Sequence, residues 1–224
     1  RRGRHAARVA AEGAVLAEGI PEERIVFVGN VMIDTLLHQL PKARALDVPG
    51  RMRLERGTYA VATLHRPSNV DDPDALRAVL EALVRVAAEM PVVLPLHPRT
   101  RKNAERFGLS GEVERQQVLE PVGYREMVSL VDGAAVVLTD SGGLQEETTA
   151  LGVPCVTLRE QTERPITISK GTNRLAPWPL SSEGVYASFR EAVEEGRAGE
   201  GERCPEGWDG RAGERAIGTL SQQS

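Results

Sequence analysis

The sequence predicts an α/β domain built as a doubly wound, Rossmann-like parallel sheet. Short β-branched runs alternate along the chain with segments of helical period. The runs are apolar at consecutive positions, the pattern of strands covered on both faces, as parallel sheets require. Residues that cap or open a helix follow them, so strand and helix recur as a unit.

The first run, "RIVFVG" (24–29), reads as a strand with "NVMIDTLLHQL" as its helix. "TYAVATL" (58–64) is the second strand. In "DPDALRAVLEALVRVAAEM" the apolar residues Leu76, Val79, Leu80, Leu83, Val84 and Ala87 match the helical period, with Asp72 placed to cap and Pro73 at the first helical position. "PVVLPL" (91–96) is the third strand, followed by a short helix from Thr100 to Phe107. "QQVLEP" is a weaker fourth, with "YREMVSLVDGA" as its helix. "AVVLT" (135–139) is the fifth, feeding "SGGLQEETTALG" and then "PCVTL" as the sixth. Past Pro177 come a helix, "SSEGVYASFREAVEEG", capped by Ser181 or Ser182, then a glycine-rich surface loop, "RAGEGERCPEGWDG", and a last short helix in "RAGERAIGTLSQ".

Composition narrows the function. With 41% apolar and 27% charged residues, the 224-residue chain can bury a sizeable core. A formal net charge of −4 gives no global basic field, which argues against nucleic acid as a partner. The basic cluster "RRGRHAAR" reads as a solvated tail. No apolar run approaches the ~18 residues of a membrane span, and no signal-peptide core is present, so no membrane partner is expected. Cys155 and Cys204 lack metal or redox spacing, and a cytoplasmic location is the expectation.

"TDSGGLQEE" (139–147) carries the strongest chemical signal. A strand that runs into two glycines and a helix offers free N–H groups and the positive end of a helix dipole, a site for an anion such as phosphate. Asp140 or Ser141 can cap that helix, the Ser141 hydroxyl can also donate to a phosphate, and Gly142 and Gly143 let a ligand approach the backbone. A carboxylate one turn further on, Glu146 or Glu147, suits the paired hydroxyls of a ribose. The plainer reading is a tight turn with glycines for packing. His65 and Arg66 follow a second strand, His97 a third, and Arg164 in "TERPITISKGTNR" the sixth, all on the edge where open α/β sheets bind ligands.

Together, "VGNVMIDTL", "TLHRPSNV", "HPR", "LTDSGGLQEETTALGVPCVTLRE", "TERPITISKGTNRL" and "WDGRAGERA" resemble the non-hydrolysing UDP-N-acetylglucosamine 2-epimerases, from about Gly19 to about Thr219. The resemblance implies the carboxy-terminal, nucleotide-binding half of a two-domain GT-B fold. Residues 1–20 would then be a remnant of an inter-domain helix, and 21–224 a UDP-sugar-binding domain whose sugar-side partner half has no counterpart here. It further implies that Ser141, Gly142 and Gly143 hold a diphosphate and Glu147 the ribose. His65 and Arg164 would line the diphosphate and sugar and matter for activity, with Arg66 beside them. The uracil would sit near Pro121 and Met127, and His97 where some members bind a second, regulatory UDP-sugar. The family histidine motif continues with a second arginine and a glutamate, whereas this sequence reads His65, Arg66, Pro67, Ser68, Asn69.

The implied reaction inverts C2, interconverting UDP-GlcNAc and UDP-ManNAc through elimination and re-addition of UDP, and needs no cofactor because the nucleotide is itself the leaving group. The implied partners are a UDP-sugar and either an amino-terminal domain or a second copy of the chain, and the half alone is expected to turn nothing over. A hydrolysing relative, a non-catalytic UDP-sugar-binding module and a GT-B glycosyltransferase donor domain remain alternatives.

Overall fold

Strands that are apolar at every position need cover on both faces, and the sheet supplies it. The computed structural model describes residues 16–199 and 201–222. Its six strands are β1 (Ala60–Thr63), β2 (Val92–Pro95), β3 (Gln117–Leu119), β4 (Val136–Thr139), β5 (Cys155–Thr157) and β6 (Asn173–Leu175). They form one parallel sheet in the order β3-β2-β1-β4-β5-β6. The order reverses between β1 and β4, whose register pairs Ala60 with Val136 and Thr63 with Thr139. Beyond the carboxy ends of such a pair, where the connections depart in opposite directions, a crevice opens.

The pleat divides the core. Ala60, Ala62, Val92, Leu94, Val136 and Leu138 face α2 (Pro73–Ala87) and α6 (Ser182–Glu195), packing against Leu76, Leu80, Leu83, Val185 and Phe189. Val61, Val93 and Val137 face the other layer with Leu130 and Val131 of α4 (Tyr124–Gly133) and Leu144 of α5 (Gly142–Ala150). Outside α4 lies α1 (Val31–Leu46), which buries Ile33, Leu36 and Ala43 against Val128 and Trp208. The remaining long elements are α3 (Pro98–Arg106) and α7 (Ala212–Gln222).

The caps follow local chemistry. Asp72 Oδ1 accepts from the amides of Asp74 and Ala75, with Pro73 at the first position of α2. Ser181 caps α6. His97 caps α3 through its ring, Nδ1 accepting from the Arg99 amide at 3.2 Å, so this helix begins two residues before the sequence reading placed it. Asp34 of α1 receives the Ala212 and Gly213 amides and so holds the start of α7.

Two strand assignments change. Residues 24–29 end a 3-10 turn (Glu22–Arg24) and then run extended without joining the sheet. They lie against the 201–211 loop, where Gly29 meets Gly207, and Arg215 of α7 donates to the Val28 carbonyl. In their place the sheet takes Asn173–Leu175, a three-residue edge strand too short and polar to show in hydropathy. The predicted surface loop also buries Trp208. The basic cluster and most of the proposed 1–20 remnant lie outside the described residues. Among the described residues, no helix is long and apolar enough to cross a membrane.

Opposite the crevice, below β4, Asp132 is buried to 1% exposure and accepts from Arg44 at 2.9–3.0 Å and Arg56 at 2.7 Å. Burial alone would raise its carboxyl, but those hydrogen bonds outweigh it and hold the group below the usual carboxylate range. Arg56 and Arg197 also donate to the Asp132 carbonyl, and Arg197 to those of Ala134 and Leu151. These bonds satisfy orphan carbonyls at the ends of α4 and α5.

Candidate functional site

A cleft of about 350 Å³ opens over the β1–β4 reversal, within the size range of small-molecule sites. Leu64 and His65 border it after β1, His97 after β2, Pro121, Val122, Tyr124 and Met127 around the start of α4, and Ser141, Gly143, Leu144 and Glu147 from α5. Residues from four separate stretches therefore meet because parallel strands deliver their following loops to one edge.

The β4–α5 turn is built to leave donors free. Thr139 Oγ1 accepts from the Ser141 amide at 2.9 Å and bonds Thr63 Oγ1 across the strands at 2.6 Å. Ser141 caps α5, its hydroxyl oxygen facing the Leu144 amide at 3.5 Å. The Ser141 amide is engaged by Thr139, leaving the Ser141 hydroxyl proton, the donor expected from the sequence, for a ligand. The Gly142 and Gly143 amides occupy the first two helical positions and have no intrahelical acceptor. Packing does not require these glycines. A Cβ on Gly142 would meet nothing within 4 Å, and one on Gly143 only Ser141 Oγ at 3.9 Å. Neither adopts positive φ.

Across the reversal, His65 Nδ1 lies 2.8 Å from Asp140 Oδ1. Hydrogen bonding to Asp140 raises the imidazole above its ordinary value, against an opposing effect of burial. The His97 ring stands 6.1 Å from that of His65. Glu147, 7% exposed, is pushed up to about 7, chiefly by burial; a hydrogen bond from Tyr124 opposes this and Glu146 adds to it.

Glu147 thus binds its proton more tightly folded than unfolded. Its contribution to stability is full below the unfolded value of 4.5 and is lost as pH rises through about 7. Glu147→Gln should therefore raise stability little at about pH 5 and by on the order of 2–3 kcal/mol at about pH 8. Melting curves at the two pH values check this; equal gains at both would contradict it.

The arginines stand apart from the cleft lining. Arg66 gives its amide to Asp140 and aims its guanidinium towards Glu163, 3.8 Å away. Arg164, 41% exposed, pairs through Nε with Glu146 at 3.0 Å, and Glu146 also accepts from Asn30 at 3.1 Å. Arg164 therefore lies at the flank of α5, one residue from Glu147 through its partner. Sequence reasoning missed Tyr124, and it weighed Asp140 only as a cap. It took Pro67, Ser68 and Asn69 for departures from a motif, yet Asn69 is fully buried and donates to Asp140 and the Leu158 carbonyl.

Comparison with known proteins bears on this arrangement. Residues 4–221 match the family model described as UDP-N-acetylglucosamine 2-epimerase. The UDP-N-acetylglucosamine 2-epimerase of Methanococcus maripaludis is 38% identical over 72% of this chain and 46% of its own length. The UDP-2,3-diacetamido-2,3-dideoxy-D-glucuronate 2-epimerase of Pseudomonas aeruginosa is 46% identical over 68% of this chain and 41% of its own. The crystal structure of Methanocaldococcus jannaschii UDP-GlcNAc 2-epimerase in complex with UDP-GlcNAc and UDP superposes with a TM-score of 0.81 at 33% identity, covering 95% of this chain and 59% of that one. The chain spans about half the length of the curated relatives it matches.

Proposed function

The chain belongs to the UDP-N-acetylglucosamine 2-epimerase family, and from that premise we propose that its cleft holds the UDP portion of a 2-acetamido sugar nucleotide during inversion at C2. The observation that carries the reading is that Ser141 and Gly143 line one cleft with His65 at the sheet reversal, at a helix start where the Gly142 and Gly143 amides have no intrahelical acceptor. Diphosphate is the ligand such a site suits: two backbone donors, a hydroxyl, a helix N-terminus and an imidazole with raised proton affinity. The apolar end formed by Pro121, Val122 and Met127 takes a flat base, and Glu147 takes the ribose hydroxyls.

In the proposed reaction a base removes the C2 proton and the C1–O bond breaks, its electron pair leaving with the diphosphate. UDP then adds back after C2 is reprotonated on the opposite face. The donors of this cleft act where negative charge grows, on the departing phosphate, and lower that barrier most. In this reading Arg164, paired with Glu146 beside Glu147, acts towards the sugar. The P. aeruginosa relative favours a wider substrate class, since at 46% identity it carries the name of a uronate epimerase.

The test joins this chain to the portion of the M. maripaludis relative outside the match and supplies UDP-GlcNAc or the diacetamido uronate in D2O. Deuterium at C2 of an epimeric UDP-sugar is the expected product, and the better substrate identifies the sugar class. Tight UDP binding with no C2 exchange for either sugar would leave a nucleotide-binding module in place of an epimerase. Release of free sugar and UDP would identify a hydrolase.

A further inference from the structure

Asp140, the residue directly after β4, is 0% exposed, and its carboxylate accepts from four donors. These are His65 Nδ1 at 2.8 Å, the amides of His65 and Arg66 at 3.0 and 2.9 Å, and Asn69 Nδ2 at 3.2 Å. A carboxylate taken wholly out of water is costly unless its oxygens are bonded, and here three of the donors are fixed parts of the β1 loop. The fourth is an imidazole, half exposed, whose other nitrogen is left for the cleft. Neutral imidazole carries one proton, and which nitrogen holds it is set by the partner of the other. An acceptor-only carboxylate at Nδ1 admits only the form with hydrogen there.

We propose that Asp140 is a positioning residue for the reaction, locking His65 with hydrogen on Nδ1 and supporting its imidazolium so that Nε2–H donates to the leaving diphosphate. The inference rests on the proposed UDP site and adds to it the group that orients its histidine. No proton need change hands: as the C1–O electron pair moves onto the diphosphate, the Nε2–H bond strengthens and Asp140 balances the imidazolium charge. The same carboxylate binds the β1 loop through backbone amides, so ring and loop are aligned by one group across the reversal. Arg66 does not substitute, since its guanidinium is turned towards Glu163.

The ionisable groups facing His65 are Asp140 directly after β4, Arg66 beside it, His97 from the end of β2, and Glu147 from α5 in the same cleft. Because burial pushes Glu147 up to about 7, its ionisation also weakens anion binding as pH rises and would mimic loss of the imidazolium, so His65 is to be read directly rather than through a binding curve alone.

The first measurement uses the unaltered protein. Nitrogen-15 NMR of the imidazoles, assigned with His65→Gln, is expected to show neutral His65 protonated at Nδ1, the minor tautomer of a free histidine side chain. Protonation at Nε2 would overturn the proposal with no reference to UDP. The second uses Asp140→Asn, which keeps an acceptor for the loop amides but presents NH2 to the ring. The expected result is a His65 midpoint about one pH unit or more lower, with hydrogen moved to Nε2. UDP affinity should fall roughly tenfold at about pH 7.5 and recover towards about pH 6. An unchanged midpoint, or a loss of affinity equal at both pH values, would reduce Asp140 to a structural tie. Should the unaltered protein fail to bind UDP at all, the nucleotide reading itself falls, a result separate from the tautomer.

Discussion

Valine at position 143 should weaken UDP binding by roughly a hundredfold and leave thermal stability nearly unchanged. The fold has no objection to a side chain there. A Cβ would find only Ser141 Oγ, at 3.9 Å, and the residue lies in the first turn of α5, where valine is a better helix former than glycine. A diphosphate bound as proposed does object, because the added methyl groups enter the cleft that Gly143 lines. Two charge-assisted hydrogen bonds lost, each worth about 1.5–3 kcal/mol, amount to about two decades of affinity or more. Gly171→Ala is the useful contrast: its Cβ would lie 2.4 Å from Thr149 Oγ1 and from the Thr167 carbonyl oxygen. That variant should lose stability through steric conflict. Calorimetric titration with UDP, paired with melting curves, separates the two. A Gly143→Val protein that still binds UDP at parental strength would refute the diphosphate site.

Removing both Arg44 and Arg56 side chains should cost about 3 kcal/mol of stability, the lower end of the range for stripping a buried charge of its partner. Asp132 at 1% exposure cannot turn to water, whereas the arginines, each more than half exposed, can. The asymmetry makes truncation of the arginines the more damaging half of the experiment. In the parent, the lowered Asp132 group contributes stability above its unfolded value, and that contribution is lost as pH falls through the still lower folded value. The double variant should therefore lose most near neutrality and little below about pH 3, where the carboxyl is protonated in the unfolded chain as well. Urea unfolding at the two pH values measures both. A loss independent of pH would assign the effect to packing of the arginine stems.

The sheet was legible where strand identity is local. The apolar runs around Val61, Val93, Val137 and Val156 each carry their own burial signature and became β1, β2, β4 and β5. Residues 24–29 carry the same signature, but the partner that decides between strand and extended packing is the loop near Gly207, far along the chain. Asn173–Leu175 shows the converse, a strand because β5 offers it an open edge. The site follows the same division. His65, His97, Pro121, Met127, Ser141, Gly143 and Glu147 converge because each follows a strand end or opens a helix, positions a sequence displays. The role of Asp140 depends on β1 lying beside β4, and nothing near residue 140 announces that neighbour. Arg164 was placed on the correct edge, but its engagement with Glu146 depends on side-chain geometry.

The hydroxyl bridge between Thr63 and Thr139 joins residues 76 apart in the chain. Contacts that distant form only after a long loop has been closed, which makes them a late and entropically expensive event in folding. The cleft lies along that seam, so it exists only when both halves of the sheet have docked. A nucleotide bound there as proposed would work as a staple across the join, its occupancy reporting a completed fold.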